Sequence, residues 1–480
     1  MKKLKLFLEN FLIYGFGGIV SKIIPLIMVP IVTRLMPDPS YYGISDMQNT
    51  LVSFGSALAI LGMYDAMYRM FFEREEQEYK KEICATSLSF TFIMSVGVAL
   101  LMVILKGPLS LLFFKDKNLS WLVSLAAVTT LVSSTNSLVS APTRMQNQRK
   151  TYVIMNALGP LLSYGISIPL LLSGHYIIAL PLAALISGAF SEEVFWILNR
   201  SWFSIKKIKK EHLKPLLKIA IPLFPIFIVY WIFNSSDRLM ITQILGTSET
   251  GLYSVGSKLG HASQLIYMAF AGGWQYFAFS TMREDDQVGS NSKVFEYLGV
   301  ISFSATAFIC ALARPIYTLL FTAEYASSYI ISPYLFLAPL LLMLYQVGAN
   351  QFLVIKKTWP NLLILAGGAV CNIIMNFVLI PRIGIEGAAI ATLAGYIISD
   401  VVCAIVLIKM KLMVLSKEFI FSSALMLIFF IIWRVITLSS SAITILTAVI
   451  FSCLWAFMYR KALRTLFSAL KDGKHQRESL

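Results

Sequence analysis

Long apolar runs alternate with short polar connections along the whole chain. A run of about 18 to 30 mainly apolar residues crosses a hydrocarbon core ~30 Å thick as α-helix, a fold that satisfies its own backbone polar groups there. Fourteen such spans are predicted, near residues 11–36, 43–72, 84–105, 119–140, 153–172, 178–199, 218–245, 251–282, 294–316, 330–352, 361–381, 386–409, 419–436 and 441–459. The opening MKKLKLFLENFLIYGF has a basic start, but its apolar stretch continues past any small-residue cleavage site. It reads as the first span, not a removed signal.

Composition agrees with the pattern. Of 480 residues 57% are hydrophobic and 14% charged, with mean hydropathy +0.74, more apolar surface than a soluble core hides. The expected fold class is an all-α polytopic membrane protein. The formal charge of +15 reads as a topology signal and not as nucleic-acid binding, because no soluble domain is left to bind it. With the N-terminus inside, most Lys and Arg fall in the chain start and in 73–83, 141–152, 200–218, 283–293, 353–360, 409–418 and 460–480. The outer connections hold Lys106, Lys115, Lys117 and Arg382. Both termini are therefore expected to be cytoplasmic. The five cysteines lie in or beside apolar segments without a CxxC pair, so they read as small core residues, and no metal site or cofactor is expected.

A weak internal repeat divides the chain. An offset of 208 residues sets Gly43 on Gly251, Ala183 on Ala391, Leu185 on Leu393 and Glu192 on Asp400. Two pseudo-symmetric six-helix bundles follow, residues 1–199 and 218–410, with an axis along the membrane normal. The basic stretch 200–217 is predicted as an amphipathic linker on the inner leaflet, and 411–480 as two extra C-terminal helices with a tail.

Polar residues recur at helical spacing inside the apolar spans. Asp46, Asn49, Thr50, Ser53 and Ser56 share one face of span 2, and Ser254, Ser257, Lys258, His261 and Gln264 one face of span 8. Such faces turn away from lipid, and two related stripes fit one hydrophilic cavity. The serine, threonine and asparagine residues of spans 4 (Thr129, Ser133, Asn136, Ser140) and 11 (Asn372, Asn376) read instead as interhelical or back-bonding groups. Lys22 lies mid-span between Gly18 and Pro25, too deep to snorkel easily. Arg34 snorkels or binds, and Asp65 with Arg69, at i and i+4, pair locally or face a ligand. Asp237 and Arg238 point about 100° apart on a helix, so one is expected to meet Lys258 and the other the lumen. Asp46, Asp65, Asp237, Glu192 and Asp400 are the carboxylates available for coupling to a proton or Na⁺, and Trp231, Tyr253 and Trp274 offer faces for stacking.

Four stretches carry a resemblance. PIVTRLMPDPSYYGIS from Pro30, LGMYDAMYRMFF from Leu61, NSSDRLMITQILGTSETGLYSVGSKL from Asn234 and IPRIGIEGAAIATLAGY from Ile380 resemble the polysaccharide-biosynthesis flippases of the multidrug/oligosaccharidyl-lipid/polysaccharide exporter superfamily, and the likeness spans nearly the whole chain. Ser45 and Asp46 depart from the apolar or aromatic residues common there. The resemblance implies movement of an undecaprenyl-diphosphate-linked oligosaccharide, for O-antigen, capsule or a related polymer, from the inner to the outer leaflet of a bacterial cytoplasmic membrane. It also implies a polymerase and glycosyltransferases of the same pathway as partners. Its matching charged positions are Arg34, Arg69, Asp237, Arg238 and Lys258. The residues themselves agree, since a diphosphate at membrane depth needs cations such as Lys22, Arg238 and Lys258, and sugars need groups such as Asn49, His261 and Gln264. An exporter of cationic drugs would need an anionic cavity. A glycan polymerase or ligase would need a large outer loop, and none is predicted. A channel fits proline-broken, repeated helices poorly.

Overall fold

The computed structural model describes residues 23–464, except 269, 271–273, 275–277, 279–284, 356 and 358. Every regular element among them is helical. Among the described residues eleven helices are long and apolar enough to cross a membrane, and a bent pair makes a twelfth span. The described residues thus support a polytopic α-helical membrane protein close to the expected fourteen spans. The first expected span and the eighth run into residues outside the described set, as does Lys22. Outward faces are apolar: Ile93, Ile104, Leu319, Val370 and Phe377 are all more than half exposed, the opposite of a water-facing surface.

The first half comprises α1 (Ile23–Leu35), α2 (Pro39–Ile60), α3 (Met63–Phe71), α4 (Gln77–Ile104), α5 (Lys106–Phe114), α6 (Ser120–Met145), α7 (Arg149–Leu172), α8 (Tyr176–Asn199), α9 (Lys210–Ile244) and α10 (Thr247–Gly260). Then follow α11 (Gln287–Leu320), α12 (Ser332–Val354), α13 (Trp359–Ile383), α14 (Ile385–Lys409), α15 (Lys417–Ile432) and α16 (Ser441–Met458). The chain forms two compact units: residues to Lys258 with Phe321–Tyr325 and Leu365–Gly395, and Leu259–Leu320 with Ala326–Ile364 and the residues from Tyr396 onward.

In the first unit α2 starts where the sequence says it should. Asp38 caps it, accepting from the Ser40 amide at 2.7 Å, and Pro39 takes the first turn, where its missing N–H costs nothing. The expected single span 43–72 is instead broken: Leu61 and Gly62 adopt φ of 48° and 75°, and α3 leaves α2 at 47°. Gly62 brings its backbone against the Ala220 carbonyl, where a Cβ would stand 2.5 Å from the oxygen. The expected surface linker also differs. Two short 3₁₀ turns, Arg200–Trp202 and Ile205–Lys207, lead into α9, which absorbs residues 210–217. Pro215, Pro222 and Pro225 lie within α9 without ending it, as membrane helices tolerate when neighbours satisfy the freed carbonyls. Thr86 pins the entry by accepting from the Lys209 amide at 3.0 Å, and the His212 ring meets Glu82 at 2.9 Å.

One crossing in this unit shows the repeat in three dimensions. A Cβ added to Gly43 would lie 1.9 Å from the Thr247 carbonyl oxygen, and one added to Gly251 2.0 Å from that of Pro39. The two glycines, and likewise the two residues whose carbonyls they meet, Pro39 and Thr247, are separated by the same 208 residues. The starts of α2 and α10 therefore cross backbone on backbone in a two-fold manner. Side chains larger than hydrogen have no room.

In the second unit α12 is the most fully buried helix. The last two helices are not loosely appended: Phe419 stacks on Phe303 at 6.1 Å, Trp455 lies 6.0 Å from Phe303, and Glu296 accepts from the Ser416 amide and hydroxyl at 2.6 and 2.7 Å. A third correction concerns span 8. α10 stops at Gly260, whose Cβ position is filled by Leu335 at 2.7 Å, and a 3₁₀ turn follows at His261–Ser263. Three residues per turn in place of 3.6 break the expected stripe between Lys258 and His261.

Candidate functional site

The buried charges of the first unit sort into two networks on either side of the Asp237–Arg238 peptide. Arg238 turns to α2, where its Nε stands 2.6 Å from Asp46 Oδ2, both side chains being nearly buried. Ser254 of α10 donates to the same oxygen at 2.6 Å, and a second guanidinium nitrogen lies 3.4 Å from Ser257 Oγ. The guanidinium also donates to the Asn234 carbonyl and sits 5.9 Å from the Tyr253 ring centroid. The two expected stripes thus meet at Asp46 and Ser254, again 208 residues apart. A cavity of about 150 Å³ adjoins this pair, lined among others by Tyr42, Asp46, Asn49, Tyr164 and Lys258. Asp46 and Asn49 of one stripe and Lys258 of the other line this cavity, and Arg238, a member of neither stripe, joins them through Asp46.

Asp237 turns the other way. Its carboxylate accepts from Tyr253 OH and, at 2.9 Å, from Thr392 of α14. Asn372 of α13 donates to Thr392 Oγ1 at 3.2 Å and accepts from Ser236 at 3.2 Å, and Asn376 lies 3.4 Å beyond. All are buried. The expectation for Asn372, interhelical hydrogen bonding, holds. The expectations that the Asp237–Arg238 pair meets Lys258 on one side, and that Tyr253 is free to stack, do not: Arg238 takes Asp46, Asp237 takes Tyr253 and Thr392, and Tyr253 is 1% exposed. Thr392 was missed because nothing in sequence links it to a residue 155 positions earlier.

A wider cleft of about 590 Å³ lies in the same unit, among α2, α3, α6, α7, α8 and α9. Asp65 and Trp231 are in its wall, and so are Asn136 and Ser140, which were expected only to make interhelical or back-bonding hydrogen bonds. Ser140 does bond the Ser137 carbonyl, at 3.3 Å. Asp65 and Arg69 are both exposed on α3, and among the described residues they form no ion pair with each other. Arg144 also lines this cleft. It was hidden as one of the topology-setting charges of 141–152, although Asn136, Ser140 and Arg144 follow at steps of four on one face.

Other expected residues stand elsewhere. Arg34 is exposed at the last turn of α1, and Glu192 faces a separate groove of about 380 Å³ beside Trp196 and Phe203. His261 and Gln264 belong to the second unit and are half-buried, and Trp274 is buried there. Asp400 is buried in that unit with neither carboxyl oxygen hydrogen-bonded among the described residues, in the wall of an apolar cavity of about 490 Å³. A buried polar group without a partner costs roughly 1–3 kcal/mol, so Asp400→Leu is expected to raise the unfolding temperature in scanning fluorimetry. An unchanged or lower value would show that the carboxyl gains something in the fold.

A family model described as polysaccharide biosynthesis protein matches residues 31–330. The chain belongs to that family. The matched residues of this polysaccharide biosynthesis protein include Asp46, Arg144, Asp237, Arg238 and Lys258. Among solved structures, a lipid II flippase MurJ in an inward closed conformation aligns with TM-score 0.70 at 14% identity, covering 94% of this chain and 99% of that one. An inward-facing multidrug resistance MATE transporter of the MOP superfamily aligns at 0.60 and 14%, covering 82% and 98%. A Vibrio cholerae MATE transporter aligns at 0.60 and 14%, covering 84% and 96%. At this identity the likeness is one of fold, that of MOP-superfamily flippases and transporters. No curated relative matches the chain.

Proposed function

We propose that this polysaccharide biosynthesis protein is a flippase for an undecaprenyl-diphosphate-linked oligosaccharide, moving it from the cytoplasmic to the outer leaflet of a bacterial cytoplasmic membrane by alternating access. The observation that carries the reading is the placement of Arg238 and Lys258. Both stand around Asp46, beside a polar cavity, Arg238 in a nearly buried ion pair and Lys258 in the cavity wall, and a cation placed away from water is costly without a use. An approaching diphosphate competes with Asp46 for the guanidinium and supplies stronger, charge-assisted hydrogen bonds. The lipid tail stays in the bilayer. Arg34, Arg69, His261, Gln264 and Lys22 remain candidates for other steps of the path.

Coupling is assigned to the Asp237 cluster. A carboxylate with surrounding amide and hydroxyl oxygens, from Ser236, Asn372, Asn376 and Thr392, is a hard donor set suited to Na⁺ or a proton and unsuited to soft metals. Filling it in one state and emptying it in the other biases the exchange by the difference in affinity.

The drug-exporter reading finds less support. The two cavities nearest the Asp46 and Asp65 carboxylates each hold a cation as well, Lys258 in one and Arg144 in the other, and in this unit it is the groove at Glu192 that has an acid without a basic lining residue. The expected result of depleting the protein is accumulation of lipid-linked repeat units at the inner leaflet. Arg238→Ala with Lys258→Ala is expected to cut surface polymer at least tenfold at matched protein level, the loss of about two charge-assisted contacts. Normal polymer in those cells would remove Arg238 and Lys258 from the path.

A further inference from the structure

We infer that the cleft of about 590 Å³ among α2, α3, α6, α7, α8 and α9 is a binding subsite for the sugar rings of the substrate, with Arg144 and Asn156 as specificity-determining residues. The inference rests on the flippase reading and says where the glycan part is held. Its volume lies within the roughly 300–1,000 Å³ of ordinary small-ligand sites. A sugar ring presents an apolar C–H face and a rim of hydroxyls. It therefore needs flat aromatic surface and neutral hydrogen-bonding groups together, and this wall supplies both: the rings of Tyr64, Tyr152 and Trp231, and the amides and hydroxyls of Asn136, Asn156 and Ser191.

The polar groups are poised for an additional partner. Asn136 reaches Ser191 at 3.5 Å, the limit of a hydrogen bond, while its Oδ1 has no donor among the described residues. Arg144 is held from two sides, donating to Tyr64 OH at 2.9 Å with its guanidinium 5.2 Å from the Tyr152 ring centroid. A planar cation fixed in this way presents its charge at a set place in the wall, so contact with a hydroxyl or acyl oxygen there costs little ordering of the side chain. The alternatives fit less well. A diphosphate needs several clustered cations, and Arg144 is the sole Arg or Lys of this wall, with Asp65 in the same wall. A lipophilic cation would need an acid in a mainly apolar wall, not a row of amides and hydroxyls.

The test uses the full-length protein in lipid nanodiscs and two probes: undecaprenyl diphosphate, and the same lipid carrying a single N-acetylhexosamine. Wild-type protein is expected to bind both, the sugar-bearing lipid roughly tenfold or more tightly, as one or two hydrogen bonds with ring stacking provide. Arg144→Met and Asn156→Leu are each expected to reduce that gain to under about threefold while leaving the affinity for bare undecaprenyl diphosphate unchanged, which also reports an intact fold. Equal affinity of wild type for the two probes overturns the subsite. So does a gain that persists in both variants, or a loss that is the same for both probes. Failure of wild type to bind even the bare lipid diphosphate overturns the flippase reading itself, and the subsite with it.

Discussion

A methyl group at Gly43 or Gly251 is expected to abolish export and to destabilise the protein by more than about 3 kcal/mol, above the usual range for overpacking. The reason is what the new atom meets. At both positions it falls about 2 Å from a backbone carbonyl oxygen, and no rotamer change can clear a backbone atom. The helix starts must separate, carrying Asp46 away from Ser254 and Arg238. The checks are the unfolding temperature of Gly43→Ala and Gly251→Ala in detergent and surface polymer in complemented cells. Wild-type values for either variant would mean that the crossing is looser than described. The two substitutions are expected to behave alike, because each glycine meets the carbonyl that the repeat pairs with the other's.

Asp237 carries the second large effect, and two substitutions separate its roles. Asp237→Ala strips the acceptor from Tyr253 and Thr392 at once and is expected to lower stability by roughly 2–4 kcal/mol, two buried donors left unmade. Asp237→Asn keeps shape and most hydrogen bonding, so its unfolding temperature should stay near wild type. It removes the negative charge, however, and transport is expected to fall at least about tenfold, the loss of roughly 1.4 kcal/mol of ion or proton affinity. Any Na⁺-dependent gain in thermal stability of the wild type should vanish in the same variant. Full transport by Asp237→Asn protein would place coupling elsewhere.

Much of this architecture is legible in the sequence because a bilayer makes a simple demand. A span must be apolar and about 20 residues long, and a polar residue at helical spacing must turn inward, so the meeting of Asp46 with Ser254 follows from two stripes and one repeat. What escapes has physical causes. The break at Leu61–Gly62 lies inside what reads as one span, where hydropathy carries no angle. The turn after Gly260 depends on Leu335 filling the space beside that glycine, a contact between residues 75 apart. Residues 210–217 look like a surface helix because they are basic and bear a proline, yet they continue into α9. Arg144 is counted as a loop charge because the same residue type both sets topology and recognises ligands.

The discontinuity of the first unit bears on how the protein is made. Asp237 finds Thr392 only across 155 residues of chain, and at synthesis rates of about 5–20 residues per second that separation lasts roughly ten to thirty seconds. During that interval α9 has left the ribosome while its buried carboxylate lacks α13 and α14. The insertion machinery, or a partner already in the membrane, must shield it from lipid. Ribosome-stalled chains long enough to expose α9 outside the ribosome but not α13 and α14 should therefore be held by such factors more firmly than chains that expose all three helices.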